Sequence, residues 1–198
     1  MIELKKRISL YMRSVLSLLR IAFIKIFNIR AFSSSAFEDF SLSTRIFVFD
    51  KGQMRLKRRI HTRSNVVFEA DGGVLEIGEG CFFNNGCMVV AKEHVKIGNY
   101  TSFGPNVLVY DHDHRIDSDA LIHDSGFDTA PVVIGDNVWI GANTVILRGT
   151  VLGNGCVVGA GSVVKGTYPP DTVIIQKRSE ILRDRVSNFE KDVDNAYG

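Results

Sequence analysis

The sequence predicts an all-β solenoid, a parallel β-helix, on three observations. Ile134, Ile140, Ile146, Leu152, Val158 and Val164 return at every sixth position without exception. Two positions before each stands a compact residue, Val132, Val138, Thr144, Thr150, Cys156 and Ser162. Side chains two apart share one face of a strand, so both series point inward. Glycine follows four members of the first series, at Gly135, Gly141, Gly153 and Gly159. A helical period of 3.6 carries residues six apart to nearly opposite sides, whereas a coil with three short flat faces returns an aliphatic residue to the interior at each face.

At the N-terminus, residues 1–32 are rich in Leu, Ile and Phe, but Lys5, Lys6, Arg7, Arg13, Arg20, Lys25 and Arg30 interrupt them too often for a membrane span. At helical period Leu4, Ile8, Tyr11, Val15, Leu18, Ala22 and Ile26 form an apolar face, and Lys6, Arg13 and Arg20 recur opposite it. Such a basic amphipathic helix either lies on an anionic membrane surface or packs across the open end of the next domain, and both readings stay open.

The coil is expected over residues 45–175. A faint series, Val48, Met54, Ile60 and Val66, extends it toward residue 45 but lacks the small residues that follow the stronger series. Ile77, Phe83 and Val89 then lead, after a slip of two residues, to Ile97, Phe103 and Val109. Leu75, Cys81, Cys87, Val95, Thr101 and Val107 precede these six by two, and the slip predicts an enlarged corner. Between Val109 and Ile134 the period fails. Residues 110–131 are charged, short of aliphatics and hold three of the five histidines, so a solenoid must expel them as a loop, the first place to look for chemistry. Pro169 and Pro170 stop regular pairing, and Ile181, Leu182, Val186 and Phe189 predict a short C-terminal helix over 178–191.

Lys plus Arg number 24 against 22 for Asp plus Glu, a near balance that argues against a nucleic-acid partner. Cys81, Cys87 and Cys156 are an odd set in a chain that opens without a signal-peptide cleavage site, which predicts free thiols in a reducing cytoplasm.

The stretch Pro131-Val-Val-Ile-Gly-Asp-Asn-Val-Trp-Ile-Gly-Ala142, followed by Val158-Gly-Ala-Gly-Ser-Val-Val164 and Pro169-Pro170, resembles the hexapeptide-repeat acetyltransferases. The likeness is to the galactoside and maltose acetyltransferase branch and its polysaccharide-modifying relatives, over about residues 75–185. It implies a left-handed coil, a homotrimer with active sites in the clefts between chains, acetyl-coenzyme A as co-substrate and no metal. Handedness comes from the resemblance alone, since ordinary crossovers favour the right-handed form.

The resemblance places the catalytic base in the protruding loop at His112. Imidazole suits that task independently, because acetyl transfer from a thioester needs a group that accepts a hydroxyl proton near neutral pH. Asp111 or Asp113 would orient the ring, Asp111 is also a candidate acceptor-binding group, and His114 is either a further acceptor-binding group or a solvated loop residue. Asn84 matches the asparagine that contacts the acceptor sugar. Gly141, Ala142 and Ala160 match the stretch whose backbone meets the pantetheine arm and thioester, and Trp139 falls beside the same cleft. Lys165 and Arg183 fall where polar or basic groups approach the cofactor's phosphates. Two departures stand out: Gln176-Lys177-Arg178-Ser179 replaces a Gly-x-Pro-Ala segment ahead of Arg183, and Lys92 replaces a residue often acidic in sugar-modifying relatives.

The expected function is therefore O-acetyl transfer to a sugar hydroxyl of a bacterial surface polysaccharide or its precursor, by a cytoplasmic enzyme with possible peripheral contact at the inner membrane face. Acetylation of a small free acceptor, such as a galactoside, a nucleotide-linked amino sugar or an antibiotic, is the alternative. A metal site would have to use His112, His114 and His123, but the one-residue gap between the first two differs from the spacing of zinc carbonic anhydrases on this scaffold. A non-catalytic scaffold is the third class, since a repeat fold does not dictate function. The cysteines lie in the inward series and read as packing residues rather than nucleophiles.

Overall fold

A computed structural model describes residues 15, 16, 19–23, 26, 31–35, 39–116 and 121–176. The chain winds as a parallel coil with three faces, each a sheet of very short strands. Face 1 stacks Phe32–Ser34, Gln53–Leu56, Val74–Ile77, His94–Ile97, Val132–Ile134, Val151–Leu152 and Thr167–Tyr168. Face 2 stacks His61–Thr62, Phe82–Phe83, Ser102–Phe103, Trp139–Ile140, Val157–Val158 and Val173–Ile174. Face 3 stacks Arg45–Phe49, Val67–Asp71, Met88–Ala91, Leu108–Tyr110, Val145–Ile146 and Val163–Val164.

Register turns the six-residue spacing into interior columns. Ile77, Ile97, Ile134 and Leu152 stack along face 1, and Phe83, Phe103, Ile140 and Val158 along face 2. All eight are at most 2% exposed, so the periodic series is the core. Phe83 and Phe103 stack with centroids 4.4 Å apart, and Phe68 meets Phe83 edge-on at 4.8 Å.

The compact series is buried too, and its hydroxyls and thiols have a reason to be there. Each corner turns backbone carbonyls toward the interior, where an unpaired acceptor is costly. Thr101 donates to Gly135 O at 2.9 Å, Thr150 to Val164 O at 3.1 Å and Ser162 to Gly159 O at 2.7 Å. Cys81, Cys87 and Cys156 make the same contact to Gly98, Gly104 and Pro169 carbonyls at 3.0, 3.1 and 3.2 Å. Burial pushes the Cys81 and Cys87 thiols up to about 11, which suits packing and not nucleophilic attack. The glycines are steric: a Cβ on Gly141 would lie 2.5 Å from Ala160 N, with no room between successive coils.

Three features of the N-terminal part differ from the sequence expectation. Strand pairing begins at Phe32–Ser34, upstream of residue 45. Register places Met54 opposite Leu75, so Met54, Ile60 and Val66 continue the compact series, while Leu56, Thr62 and Phe68 continue the main one. That phase explains why no small residue follows Met54, Ile60 or Val66. Third, positions 15, 16, 19–23 and 26 are helical, but the helix docks by another side than the predicted apolar face. Ile21 is buried with Phe40 at the coil's end, and Arg20 donates to Leu42 O at 3.3 Å. Val15, Ala22 and Ile26 face outward. Residues 18, 19 and 21–24 are all apolar, so pattern alone does not select which side packs. The predicted C-terminal helix over 178–191 lies outside the described residues.

The slip of two residues is a wider turn between faces 3 and 1, at Lys92 and Glu93. One coil later the same corner opens into the predicted insertion. There His112–His114 pairs antiparallel with Phe127–Thr129 and forms a protruding hairpin.

Candidate active site

The hairpin starts from an anchored carboxylate. Asp111 is wholly buried, and it accepts the backbone N–H of Lys92 at 2.9 Å and of Glu93 at 2.8 Å from the wide turn below. Its Oδ1 also lies 3.1 Å from His112 Nδ1. The carboxylate thereby ties the imidazole to the coil through two main-chain donors. The His112 side chain is 13% exposed, standing edge-on between Tyr110 at 5.7 Å and Phe127 at 5.3 Å. With Nδ1 committed to Asp111, Nε2 is the nitrogen left to face a substrate.

Of the two carboxylates that sequence offered as orienting groups, Asp111 lies against the ring and Asp113 does not, and Asp111, wholly buried with both oxygens on main-chain donors, is not placed to bind an acceptor. Asp113 instead receives Arg148 Nε at 2.6 Å, which fastens the hairpin to the next coil. Arg115 Nε holds Asp128 at 2.8 Å across the hairpin and keeps that carboxyl below its usual range. His114, more exposed than His112, lies 4.6 Å from the Phe127 ring. Lys92 Nζ sits over the same ring at 4.1 Å and pairs with Asp71. Phe127, Asp71 and Arg148 were not among the sequence candidates. Their only signal is contact across the hairpin or between coils, which has no period in the sequence.

The coil has relatives among known proteins. The family model described as bacterial transferase hexapeptide (six repeats) matches residues 131–166. A hexapeptide-repeat-containing acetyltransferase of Vibrio cholerae superposes with a TM-score of 0.54 at 30% identity, covering 63% of this chain and 70% of that one. The chain belongs to the hexapeptide-repeat acetyltransferase family. A galactoside acetyltransferase in complex with coenzyme A is similar at 28% identity and a TM-score of 0.51, over 68% of this chain and 60% of that one. A probable acetyltransferase of Mycobacterium tuberculosis is 29% identical over 139 residues, 70% of this chain and 46% of that one. This chain thus spans about half the length of that curated relative.

As a hexapeptide-repeat protein with a left-handed coil, the chain distributes its remaining candidates over two corners. Lys165 follows Val163–Val164 at the corner of faces 3 and 1, two strands along from the one that carries Asp111 and His112. Asn84, Gly141, Ala142 and Ala160 gather at the corner of faces 2 and 3. Asn84 N–H donates to Phe103 O, Gly104 N–H to Ile140 O and Gly141 N–H to Val158 O, which stacks these turns in a column. Neither Ala142 nor Ala160 donates its own N–H to another group among the described residues. Trp139 stands outward on face 2, 58% exposed, and does not cover the coil. Arg183 lies outside the described residues. Among the described residues no group of three or more His, Cys, Asp or Glu is placed to hold a metal ion.

Proposed function

We propose that this chain moves acetyl from acetyl-coenzyme A to a sugar hydroxyl, with His112 as general base, in a site shared between copies of a homotrimer. The observation that carries the reading is the dyad: a buried carboxylate fixed by two N–H donors, holding His112 Nδ1 at 3.1 Å. His112 Nε2 takes the acceptor's hydroxyl proton as that oxygen attacks the thioester carbonyl. The N–H groups of Ala142 or Ala160 meet the developing oxyanion, a contribution of roughly 3 kcal/mol per donor in comparable sites. Collapse of the tetrahedral species expels the coenzyme A thiolate, which recovers the proton from the imidazolium.

The same geometry supports assembly. His112 and Lys165 stand at one corner of the coil, and Asn84, Ala142, Ala160 and Trp139 at another, so one chain alone does not close a site around them. A threefold ring brings the first corner of each copy to the second corner of the next. The complex of a similar galactoside acetyltransferase with coenzyme A supports the donor, and a polymeric surface glycan or its precursor is the acceptor class we favour. The test is thiol release from acetyl-coenzyme A over a panel of oligosaccharide, nucleotide-sugar and small galactoside acceptors. Release with an oligosaccharide and none with the small acceptors is the expected result, and no release with any acceptor contradicts the reading.

The N-terminal helix supports contact with the inner membrane face. With Ile21 docked on the coil, Val15, Leu16, Leu19 and Ile26 remain exposed, and Arg13 and Lys25 lie in the same stretch. An apolar strip with basic neighbours suits an anionic bilayer surface. No helix among the described residues is long and apolar enough to cross a membrane. The full chain should sediment with phosphatidylglycerol vesicles and not with phosphatidylcholine ones, and Leu19→Glu with Ile26→Glu should cut that binding by about tenfold or more. Equal sedimentation of the double variant contradicts the contact.

A further inference from the structure

One coil below Asn84, on the side away from Ala142 and Ala160, the corner of faces 2 and 3 opens into a hollow of about 350 Å³ lined by Ser41, His61, Arg63, Ser64 and Asn85. Arg63 N–H donates to Phe83 O at 2.8 Å, which sets Arg63 directly beneath Asn84 in the column, one strand spacing away. Asn84 thus stands between the hollow on one side and the turns of Ala142 and Ala160 on the other.

Its chemistry is that of an oxyanion site. The sequence concentrates Arg55, Lys57, Arg58, Arg59 and Arg63 in this part of the coil, but the structure neutralises three of them. Arg55 pairs with Glu76 at 2.6 Å, and Arg58 and Arg59 pair with Glu79 at 2.9 and 3.6 Å. Arg63 makes no ion pair among the described residues, and its guanidinium lies 5.9 Å from the Phe82 ring centroid. His61 stacks on the same ring, centroids 5.4 Å apart and nearly parallel, and its Nδ1 lies 2.7 Å from the Asp39 carboxylate. Asp39 thus faces the imidazole. Asn85 Oδ1 accepts the Ser64 N–H at 3.1 Å, which leaves the Asn85 amide nitrogen as a donor beside Arg63. A fixed fork of donors, a side-chain amide and a serine hydroxyl match a planar or tetrahedral oxyanion.

We propose that this hollow is an acceptor subsite for a sugar unit bearing an oxyanion, a carboxylate or a phosphate ester, seated on Arg63 next to the unit held at Asn84. The proposal rests on the acetyl-transfer reading for its place in the groove, and makes the acceptor an acidic glycan.

The experiment is titration calorimetry of the full chain with trigalacturonate, its neutral methyl ester, galactose 6-phosphate and galactose, alongside thiol release with the same compounds. Trigalacturonate or galactose 6-phosphate should bind about tenfold more tightly than its neutral counterpart, with the advantage shrinking as salt rises. Whichever of the two shows the advantage identifies the oxyanion. Arg63→Ala should erase the difference and Arg63→Lys should keep part of it. Ser64→Glu, an exposed site, should invert it. Equal affinity for charged and neutral probes, or an advantage that survives Arg63→Ala, overturns the subsite and leaves acetyl transfer standing. Arg63-dependent binding with no thiol release from any acceptor sinks acetyl transfer and leaves the subsite standing.

Discussion

His112→Ala lowers kcat/KM for acetyl transfer by about 10²- to 10⁴-fold, the range a positioned general base contributes. The loss should fall in kcat, because in the proposed reaction the ring accepts a proton only as the acceptor oxygen attacks, and KM for acetyl-coenzyme A should stay near its native value. Fold is retained, since the imidazole packs in the hairpin between Tyr110 and Phe127 and not in the coil's interior. His114→Ala is the paired control. Its ring rests on Phe127 with no carboxylate held to it among the described residues, so it should raise the acceptor KM and leave kcat within about tenfold. Kinetics of both variants over a range of pH check the assignment, and the reverse ranking contradicts it.

Asp111→Ala has the second-largest effect, and it acts on fold and rate together. Removing the carboxylate leaves the N–H groups of Lys92 and Glu93, at a part-buried turn, without their acceptor, a loss of about 1–3 kcal/mol in stability. It also frees His112 Nδ1, so kcat falls about as far as in His112→Ala, with KM for acetyl-coenzyme A little changed. Asp111→Asn separates the two roles. The amide oxygen still accepts one main-chain N–H, so the melting temperature recovers part of the way. Its NH₂ group must then meet either another N–H donor or Nδ1, which disfavours the tautomer that leaves Nε2 free, and kcat stays low. A variant that melts closer to native yet does not regain rate identifies Asp111 as a positioning residue. Recovery of rate in step with stability would mean that its role is structural only.

Sequence made the coil legible because its core has one rule, an inward side chain at each face, and every strong position from Leu75 to Val164 obeys it. Even the polar members, Thr101, Thr150 and Ser162, were placed correctly by spacing, although their reason, donation to corner carbonyls, needs coordinates. The N-terminal coils were harder. Met54, Ile60 and Val66 are as buried as the rest, but without a following glycine nothing showed which of the two columns they occupy. The helix defeated the pattern for the opposite reason, an excess of apolar residues from 18 to 24 that left its docking side unspecified.

At the site, failure of the period marked the hairpin and chemistry marked its histidines. The choice of Asp111 over Asp113 was not legible, because it depends on which carboxylate reaches the turn of Lys92 and Glu93 one coil below. Lys92 itself was visible only as a departure. The structure places it against Phe127 and Asp71, a contact between residues 35 and 21 apart in the chain. Arg63 was one of five basic residues until three of the others were seen to be paired.

In the proposed trimer catalysis joins the His112 corner of one copy to the Ala160 corner of the next, and mixing two inactive chains is the decisive experiment. His112→Ala removes the base, while Ala160→Trp, at an exposed corner, blocks the groove without disturbing the core. Each is expected to be inactive alone. Co-expressed in equal amounts, they should recover about a quarter of native thiol release, the fraction of threefold interfaces that combine an intact base with an intact groove. Recovery near that level supports the shared site, and mixed assemblies as dead as their parents would contradict it.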